Sequence, residues 1–311
     1  MRTNILLFWS GVVLLTEDKI LTCPACNDKT TWKCILESKG ARSNIYYCLG
    51  CEMRRLYPQP TLDILQGMYQ NLAQSYSVEK AQLSDKSVDY YDELIKKYNK
   101  NNDSKHLLDI GAGLGYYSES FAKLNYIVTY CDADKISSEF AIENHKHINR
   151  FVTIDFDSYL STSDDKFDVI FCRHVIEHIF EPDKFIQGLT NLLKEDGILI
   201  LETDNNDSTE LLDHEEVVTY WGNHYLKNFK IGDITELKKL KVTAIGEKQT
   251  HWWAFRKANL KMLLEHNGYD TLLLKDYKLG DEYLWPNVTP ITSVDNQSKE
   301  GAGILIIASR K

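Results

Sequence analysis

The chain has 311 residues, 43% hydrophobic and 26% charged, which excludes a disordered or fibrous polypeptide and allows one large globular domain or two small ones. The formal net charge of −9 is unevenly spread: residues 1–22 balance, residues 23–60 carry six Lys/Arg against three acids, and the rest holds −12. An acidic body argues against tight nucleic-acid binding, which rests on neutralising phosphates, and leaves only a local contact through the small basic segment.

Taken in chain order, the first feature is an apolar run, Ile5 to Leu15, behind Arg2. Eleven residues are too few to span a bilayer as a helix. Thr16-Glu-Asp-Lys offers no small-residue cleavage site. Residues 1–19 therefore read as an ordered strand or helix packed on the body, or as an upstream start-site artefact, with a weak membrane anchor as the minor alternative. No other segment approaches membrane length.

Seven cysteines follow, four of them in Cys23-Pro-Ala-Cys26 and Cys48-Leu-Gly-Cys51, with 21 residues between the pairs. Two C-x-x-C knuckles at that separation place four thiolates around one Zn²⁺. A disulfide framework would need an oxidising compartment, which nothing else supports, so the thiols point to the cytoplasm. Four Cys ligands leave no open position for water, so the metal is structural, and it must supply most of the folding energy of a ribbon over residues 20–60. Gly50 suits the tight turn of a knuckle. Cys34, Cys131 and Cys172 read as ordinary thiols, the last two as small core hydrophobes.

Residues 61–105 read as a helical linker or lid. Leu62, Leu65, Met68, Tyr69 and Leu72 recur at helical spacing, as do Tyr90, Tyr91, Leu94, Ile95 and Tyr98. Core packing accounts for most of these aromatics, and cover over a ligand pocket is the alternative. From 106 onward strand and helix alternate. The strands are expected near 106–110, 126–131, 150–154, 167–172 and 197–202, and the helices near 115–124, 135–147 and 183–194, with Gly197 stopping the last helix. Such alternation gives a parallel sheet covered on both faces, with ligands at the carboxyl ends of the strands.

The densest signal is His106-Leu-Leu-Asp-Ile-Gly-Ala-Gly-Leu-Gly-Tyr-Tyr117: a buried strand, a turn bearing Gly111, Gly113 and Gly115, and a helix. Glycines allow φ > 0 and close approach of a ligand to bare main chain. Asp132 ends the next apolar run, 21 residues after Gly111, where a carboxylate accepts hydrogen bonds from both hydroxyls of a ribose. A dinucleotide site wants G-x-G-x-x-G, whereas position 116 here is Tyr. Asp109 stands two residues before the first glycine, placed to meet an ammonium group.

This D-x-G-x-G-x-G pattern resembles motif I of the class I S-adenosylmethionine-dependent methyltransferases. Phe167-Asp-Val-Ile-Phe-Cys-Arg-His-Val-Ile-Glu-His178 is similar to the fourth-strand motif of their ubiquinone-biosynthesis-like branch, and Pro182-Asp-Lys-Phe-Ile and Leu192-Leu-Lys-Glu-Asp-Gly-Ile-Leu-Ile-Leu-Glu-Thr203 follow as they do there. The likeness is strong over residues 106–205 and weaker beyond. Bacterial members with a zinc ribbon and a Pro-x-Pro linker ahead of the core match Leu56-Tyr-Pro-Gln-Pro60. The resemblance implies an α/β, doubly wound, seven-stranded Rossmann-like sheet over 106–311 with a small N-terminal four-cysteine zinc ribbon. It implies a substrate-cap insertion at 206–255, with a surface insertion as the equal alternative, and a reversed edge formed by strands at 268–275 and 303–309. His251 to Gly268 looks like the family's helix before the sixth strand. It further implies that S-adenosylmethionine lies against Asp109, the three glycines and Asp132, with Asp155 near the adenine amino group, Phe156 on the ring and Asp157 as the competing acid. Arg173 and Glu202 belong to the same carboxyl edge.

Methyl transfer to a hydroxyl needs an aligned nucleophile and a group to take its proton. A neutral imidazole suits that role, and His178 and His251 are the candidates, ahead of His174 and His224. The competing reading makes each a main-chain hydrogen-bonding residue, with the Glu177-His178 pair fixing the loop after the fourth strand. The expected function is cytoplasmic O-methylation of a small-molecule or sugar-containing acceptor with S-adenosylmethionine. The alternatives are an RNA or protein methyltransferase docking its substrate through the ribbon, and a non-catalytic S-adenosylmethionine-binding protein.

Overall fold

The computed structural model describes residues 19–36, 44–57, 78–100, 105–204, 252–277 and 303–311. The apolar N-terminal run, the helix expected around 62–72, most of the substrate-cap segment, His224 and His251 lie outside the described residues. Among the described residues no helix is long and apolar enough to cross a membrane.

The first four strands, β1 (Lys19–Thr22), β2 (Lys29–Leu36), β3 (Asn44–Cys48) and β4 (Arg54–Tyr57), form an antiparallel meander. A short strand from far along the chain, β10 (Trp253–Ala254), pairs antiparallel with β4 and makes it a five-stranded sheet. The two knuckles close the same way. Asn27 and Glu52, each just after a C-x-x-C, take left-handed φ of 56° and 64°. Their N–H groups donate to Cys23 and Cys48 carbonyls at 2.8 and 2.9 Å. Gly50 therefore does not supply the left-handed turn of its knuckle; Glu52 does. A side chain on Gly50 would meet Cys26 Sγ at 3.2 Å, so the glycine leaves room for the thiols.

Helix α1 (Val78–Tyr98) leads into the seven-stranded sheet. Its elements are β5 (His106–Ile110), α2 (Tyr116–Lys123), β6 (Ile127–Asp132), α3 (Lys135–Asn144), β7 (Arg150–Thr153), α4 (Phe156–Thr162), β8 (Phe167–Arg173), α5 (Pro182–Leu192) and β9 (Leu193–Asp204), then α6 (Lys257–His266), β11 (Tyr269–Tyr277) and β12 (Gly303–Arg310). The strand order is β11-β12-β9-β8-β5-β6-β7, with β12 antiparallel to both neighbours and the rest of the sheet parallel. That is the doubly wound sheet with a reversed edge. The order reverses between β5 and β8, which puts the ligand crevice at their carboxyl ends.

Each central strand is largely apolar because both its faces are covered. Leu107, Val128, Val169, Phe171, Ile198 and Ile200 pack toward α1 and α2. Leu108, Ile110, Ile170, Cys172, Leu199 and Leu201 pack on the opposite face in a core that runs on through α5 and α6 into Trp32, Tyr46, Met53 and Leu56 of the ribbon. Cys131 and Cys172 are fully buried core thiols.

Two local expectations change. Gly197 does not end a helix: α5 stops at Leu192 and the chain enters β9 at once. Gly197 is a strand residue where the pairing with β8 shifts register, and a side chain there would meet Leu193 and the Asp168 carbonyl at 2.9 and 3.0 Å. The aromatic run at 252–255 is strand and extended chain rather than helix, and α6 begins only at Lys257.

Candidate cofactor and acceptor site

At the end of β5 the three glycines take φ of 73°, 55° and 78°, and each has its own reason. A Cβ on Gly111 would stand 2.2 Å from Val175 Cγ2, so this glycine lets the loop press on the segment after β8. One on Gly115 would meet His145 and Ala141 at 2.9 and 3.1 Å. A Cβ on Gly113 would meet nothing within 4 Å, so the space on that side of its Cα is open. The loop is tied from beneath: Tyr130 Oη donates to the Gly113 carbonyl at 2.6 Å, and His145 Nε2 lies 2.7 Å from the Leu114 carbonyl. Burial lowers the His145 pKa from its ordinary value.

Two carboxylates lie at this loop. Asp132 accepts from Gly113 N–H at 2.7 Å and Asp134 N–H at 2.8 Å. Asp109 accepts from Ser118 Oγ at 2.6 Å. Both are almost fully buried. Burial pushes Asp109 up to about 7, opposed by the Ser118 hydrogen bond and reinforced by the charge of Asp132; burial likewise pushes Asp132 up to about 6. Two acids that resist ionising in the same crevice favour a ligand carrying positive charge.

Arg173, at the end of β8, donates through Nε to Glu202 Oε2 at 2.6 Å, and its guanidinium lies 5.1 Å over the Tyr117 ring. Glu202 also receives Tyr91 Oη at 2.5 Å, so the tyrosines of α1 serve the core and this buried pair. Asp155 is exposed and caps α4 by accepting from Ser158 N–H at 2.8 Å. Phe156 is half-buried with its ring 6.0 Å from that of Phe185.

After β8, His174 adopts a left-handed φ of 51° and the chain makes a single 3-10 turn, Ile176–His178. Glu177 is fully buried there, its carboxylate meeting His174 Nδ1 at 3.2 Å and Thr203 Oγ1 at 2.9 Å. Glu177 thus ties the turn to β9, and His178 stands half-buried beside it. Since Val175 rests on Gly111, the turn and the glycine loop are neighbours. Ser118, Tyr130 and the Tyr91–Glu202 link escape sequence reading, because their roles depend on which strands become neighbours.

In the ribbon, Cys23, Cys26, Cys48 and Cys51 bring all four Sγ atoms within 4.8 Å of one another, with Cys23–Cys51 at 3.5 Å and Cys26–Cys48 at 3.9 Å. Tetrahedral Zn²⁺ with bonds of about 2.3 Å needs sulfur separations of about 3.8 Å, so the donor set fits. Hydrogen bonds from Cys23 and Cys51 pull the Cys48 thiol down, while its bond to Cys48 pushes Cys23 up. The cluster thus shares its protons among neighbours, which a divalent cation would displace.

A parallel sheet of this order, with a glycine loop and two acids at its switch point, has the fold of S-adenosylmethionine-dependent methyltransferases. A solved S-adenosylmethionine-dependent methyltransferase from Archaeoglobus fulgidus shares that fold with a TM-score of 0.50 at 14% identity, covering 78% of this chain and 99% of its own. A family model for the methyltransferase domain matches residues 82–274, and the chain belongs to that family. Among curated proteins it is similar to a ubiquinone biosynthesis O-methyltransferase of Glaesserella parasuis, 42% identical over 108 residues, which are 32% of this chain and 46% of the relative. It is similar also to one of Coxiella burnetii, 34% identical over 107 residues, 33% and 45% of the two chains. The chain thus spans about half the length of the curated relatives it matches.

Proposed function

We propose that this chain, in the cytoplasm, transfers a methyl group from S-adenosylmethionine to a hydroxyl oxygen of a small-molecule or sugar-containing acceptor. The observation that carries this reading is the crevice at the β5–β8 switch point, where open space beside the Gly113 Cα adjoins two carboxylates held protonation-prone by burial. S-adenosylmethionine brings a sulfonium-activated methyl, an ammonium group and a ribose. Asp132 accepts from the ribose hydroxyls, Asp109 lends negative charge to the ammonium end, and Gly111, Gly113 and Gly115 keep the loop low enough to admit the ligand. Asp155 and Phe156 line the adenine side, and Arg173 closes the carboxyl edge through Glu202. His178, on the turn against the glycine loop, takes the acceptor's proton as the nucleophile attacks; His251 is the other candidate for that proton. The curated relatives' names support a hydroxyl of a small molecule. The −12 charge beyond residue 60 weighs against RNA. Zn²⁺ bound by the four cysteines holds the ribbon.

Calorimetric titration of the zinc-loaded protein with S-adenosylhomocysteine is the direct test, and micromolar binding is expected. Asp132→Ala should weaken it by about 1–3 kcal/mol through lost charge-assisted hydrogen bonds. A folded, zinc-loaded protein that ignores millimolar ligand rules the reading out. Labelled donor offered with catechols, with nucleotide sugars and with RNA then separates the acceptor classes.

A further inference from the structure

The ribbon and the turn after β8 are joined by an unusually direct set of bonds. Leu56 N–H of β4 donates to the Trp252 carbonyl at 2.9 Å, and Trp252 N–H donates to the Glu177 carbonyl at 2.7 Å. Trp253 Nε1 donates to the Ile179 carbonyl at 2.7 Å. The Phe180 ring lies 3.9 Å from that of Trp252. Positions 177, 179 and 180 are therefore all held by Trp252 and Trp253, at the start of the strand that closes the edge of the ribbon sheet.

Those tryptophans are seated from the ribbon side. The Arg55 guanidinium lies 4.5 Å over the Trp253 ring and also faces Tyr57 at 5.5 Å and Trp32 at 5.7 Å. Burial lowers Arg55 only to about 10, so it remains a cation held by aromatic faces. Trp32 packs edge-on to Trp253 at 6.3 Å and stands opposite the metal-site residue Cys48 in the β2–β3 pairing. A continuous path of contacts thus runs from the knuckle through Trp32, Arg55 and Trp253 to the turn that carries His178. At the turn itself, His178 N–H donates to Val175 O at 2.8 Å and Ile179 N–H to Ile176 O at 3.3 Å. A lone 3-10 turn is weakly self-sustaining. The Glu177 carboxylate anchors it to β9, and the ribbon anchors its carbonyls.

We propose that the zinc ribbon is a clamp on the methyl-transfer site, with Trp253 and Arg55 as positioning residues that fix the Ile176–His178 turn and so place His178. The consequence for catalysis rests on the methyltransferase reading above; the clamp itself does not.

Hydrogen exchange on the full zinc-loaded chain tests it. Trp253→Phe keeps an aromatic ring and removes the donor to Ile179, and Arg55→Met removes the cation at similar volume. In both, amides of residues 176–181 should exchange about five- to tenfold faster, the loss of one hydrogen bond's protection, while β5 and residues 111–115 keep theirs. Zinc content and S-adenosylhomocysteine affinity should be unchanged, and Arg55→Lys should restore protection. On an acceptor that is turned over, kcat should fall with little change in KM for S-adenosylmethionine. Unchanged exchange at 176–181 in zinc-loaded variants overturns the clamp. If both variants lose zinc, Phe180→Leu reads the same coupling from the other end: faster exchange in β4 supports it, and unchanged exchange there overturns it. A wild-type protein that binds no S-adenosylhomocysteine would sink the methyltransferase reading alone, since the exchange result judges the clamp.

Discussion

The two sheets hold themselves together differently. In the seven-stranded sheet the central strands are buried on both faces, and apolar area removed from water, at about 25 cal/mol per Å², is a main source of their cohesion. The ribbon buries Trp32, Tyr46, Met53 and Leu56 on one side and places four thiols at its tip. A sheet of that size needs a cation at one end and a neighbour at the other. Its apolar side is continuous with the core around α5 and α6, so the neighbour is the methyltransferase domain itself.

The sharpest way to break this contrast is to remove the metal. Cys48→Ser, or prolonged chelation, should abolish zinc binding, for which structural sites of this kind supply about 10 kcal/mol or more. Metal analysis with hydrogen exchange should show β2–β4 unprotected while β5, β6 and β8 remain protected. Loss of protection in both sheets together would mean that the body depends on the ribbon as much as the reverse.

The next effect lies within the larger sheet. Gly111→Ala forces a methyl to 2.2 Å from Val175 Cγ2 and strains a φ of 73°, so urea unfolding should show a loss of about 2–3 kcal/mol. Adding Val175→Ala should return part of it, which would locate the cost in that contact.

A smaller effect depends on pH. Asp109 has its pKa raised in the folded protein, so the native state holds the proton more tightly than the unfolded chain. Its contribution is therefore complete below about pH 4 and is lost as pH rises toward about 7. Asp109→Asn should raise the melting temperature of the ligand-free protein by a few degrees, about 1 kcal/mol, at about pH 8 and hardly change it at about pH 4. The wild type should bind S-adenosylhomocysteine more tightly as pH rises from about 6 to 8, and the same variant should lose that increase.

Smallest in stability is Gly113→Ala, whose new methyl meets nothing within 4 Å and costs only the left-handed φ, about 1 kcal/mol. Its calorimetric signature should be weaker ligand binding, because the side chain enters the open space of the crevice. Two glycines of one motif would then differ in kind, one serving the fold and the other the ligand.

The sequence shows this division only in part. Alternating apolar runs and the glycine loop disclose a parallel sheet covered on both faces, and the family resemblance adds its reversed edge. The knuckle spacing discloses the metal site because its ligands are local. Gly197 misleads because a glycine after a helical pattern ordinarily ends it, and here the strand begins before it. Tyr130 and Tyr91 look like any core aromatic until β6 and α1 bring their hydroxyls to Gly113 and Glu202. Trp252 and Trp253 suggest the start of a helix, and pairing with a strand some two hundred residues earlier is a tertiary choice that no local pattern encodes.

That pairing also bears on the order of events at the ribosome. The knuckles and β1 to β4 are made well before β10 and contain the four cysteines of the metal site. The outer edge of β4 receives its partner only when residue 254 has been synthesised. Until then the nascent chain exposes an open strand edge, a surface prone to unwanted pairing. Closure by Trp253 and Ala254 therefore seals the ribbon only about two hundred residues after β4 itself has been translated.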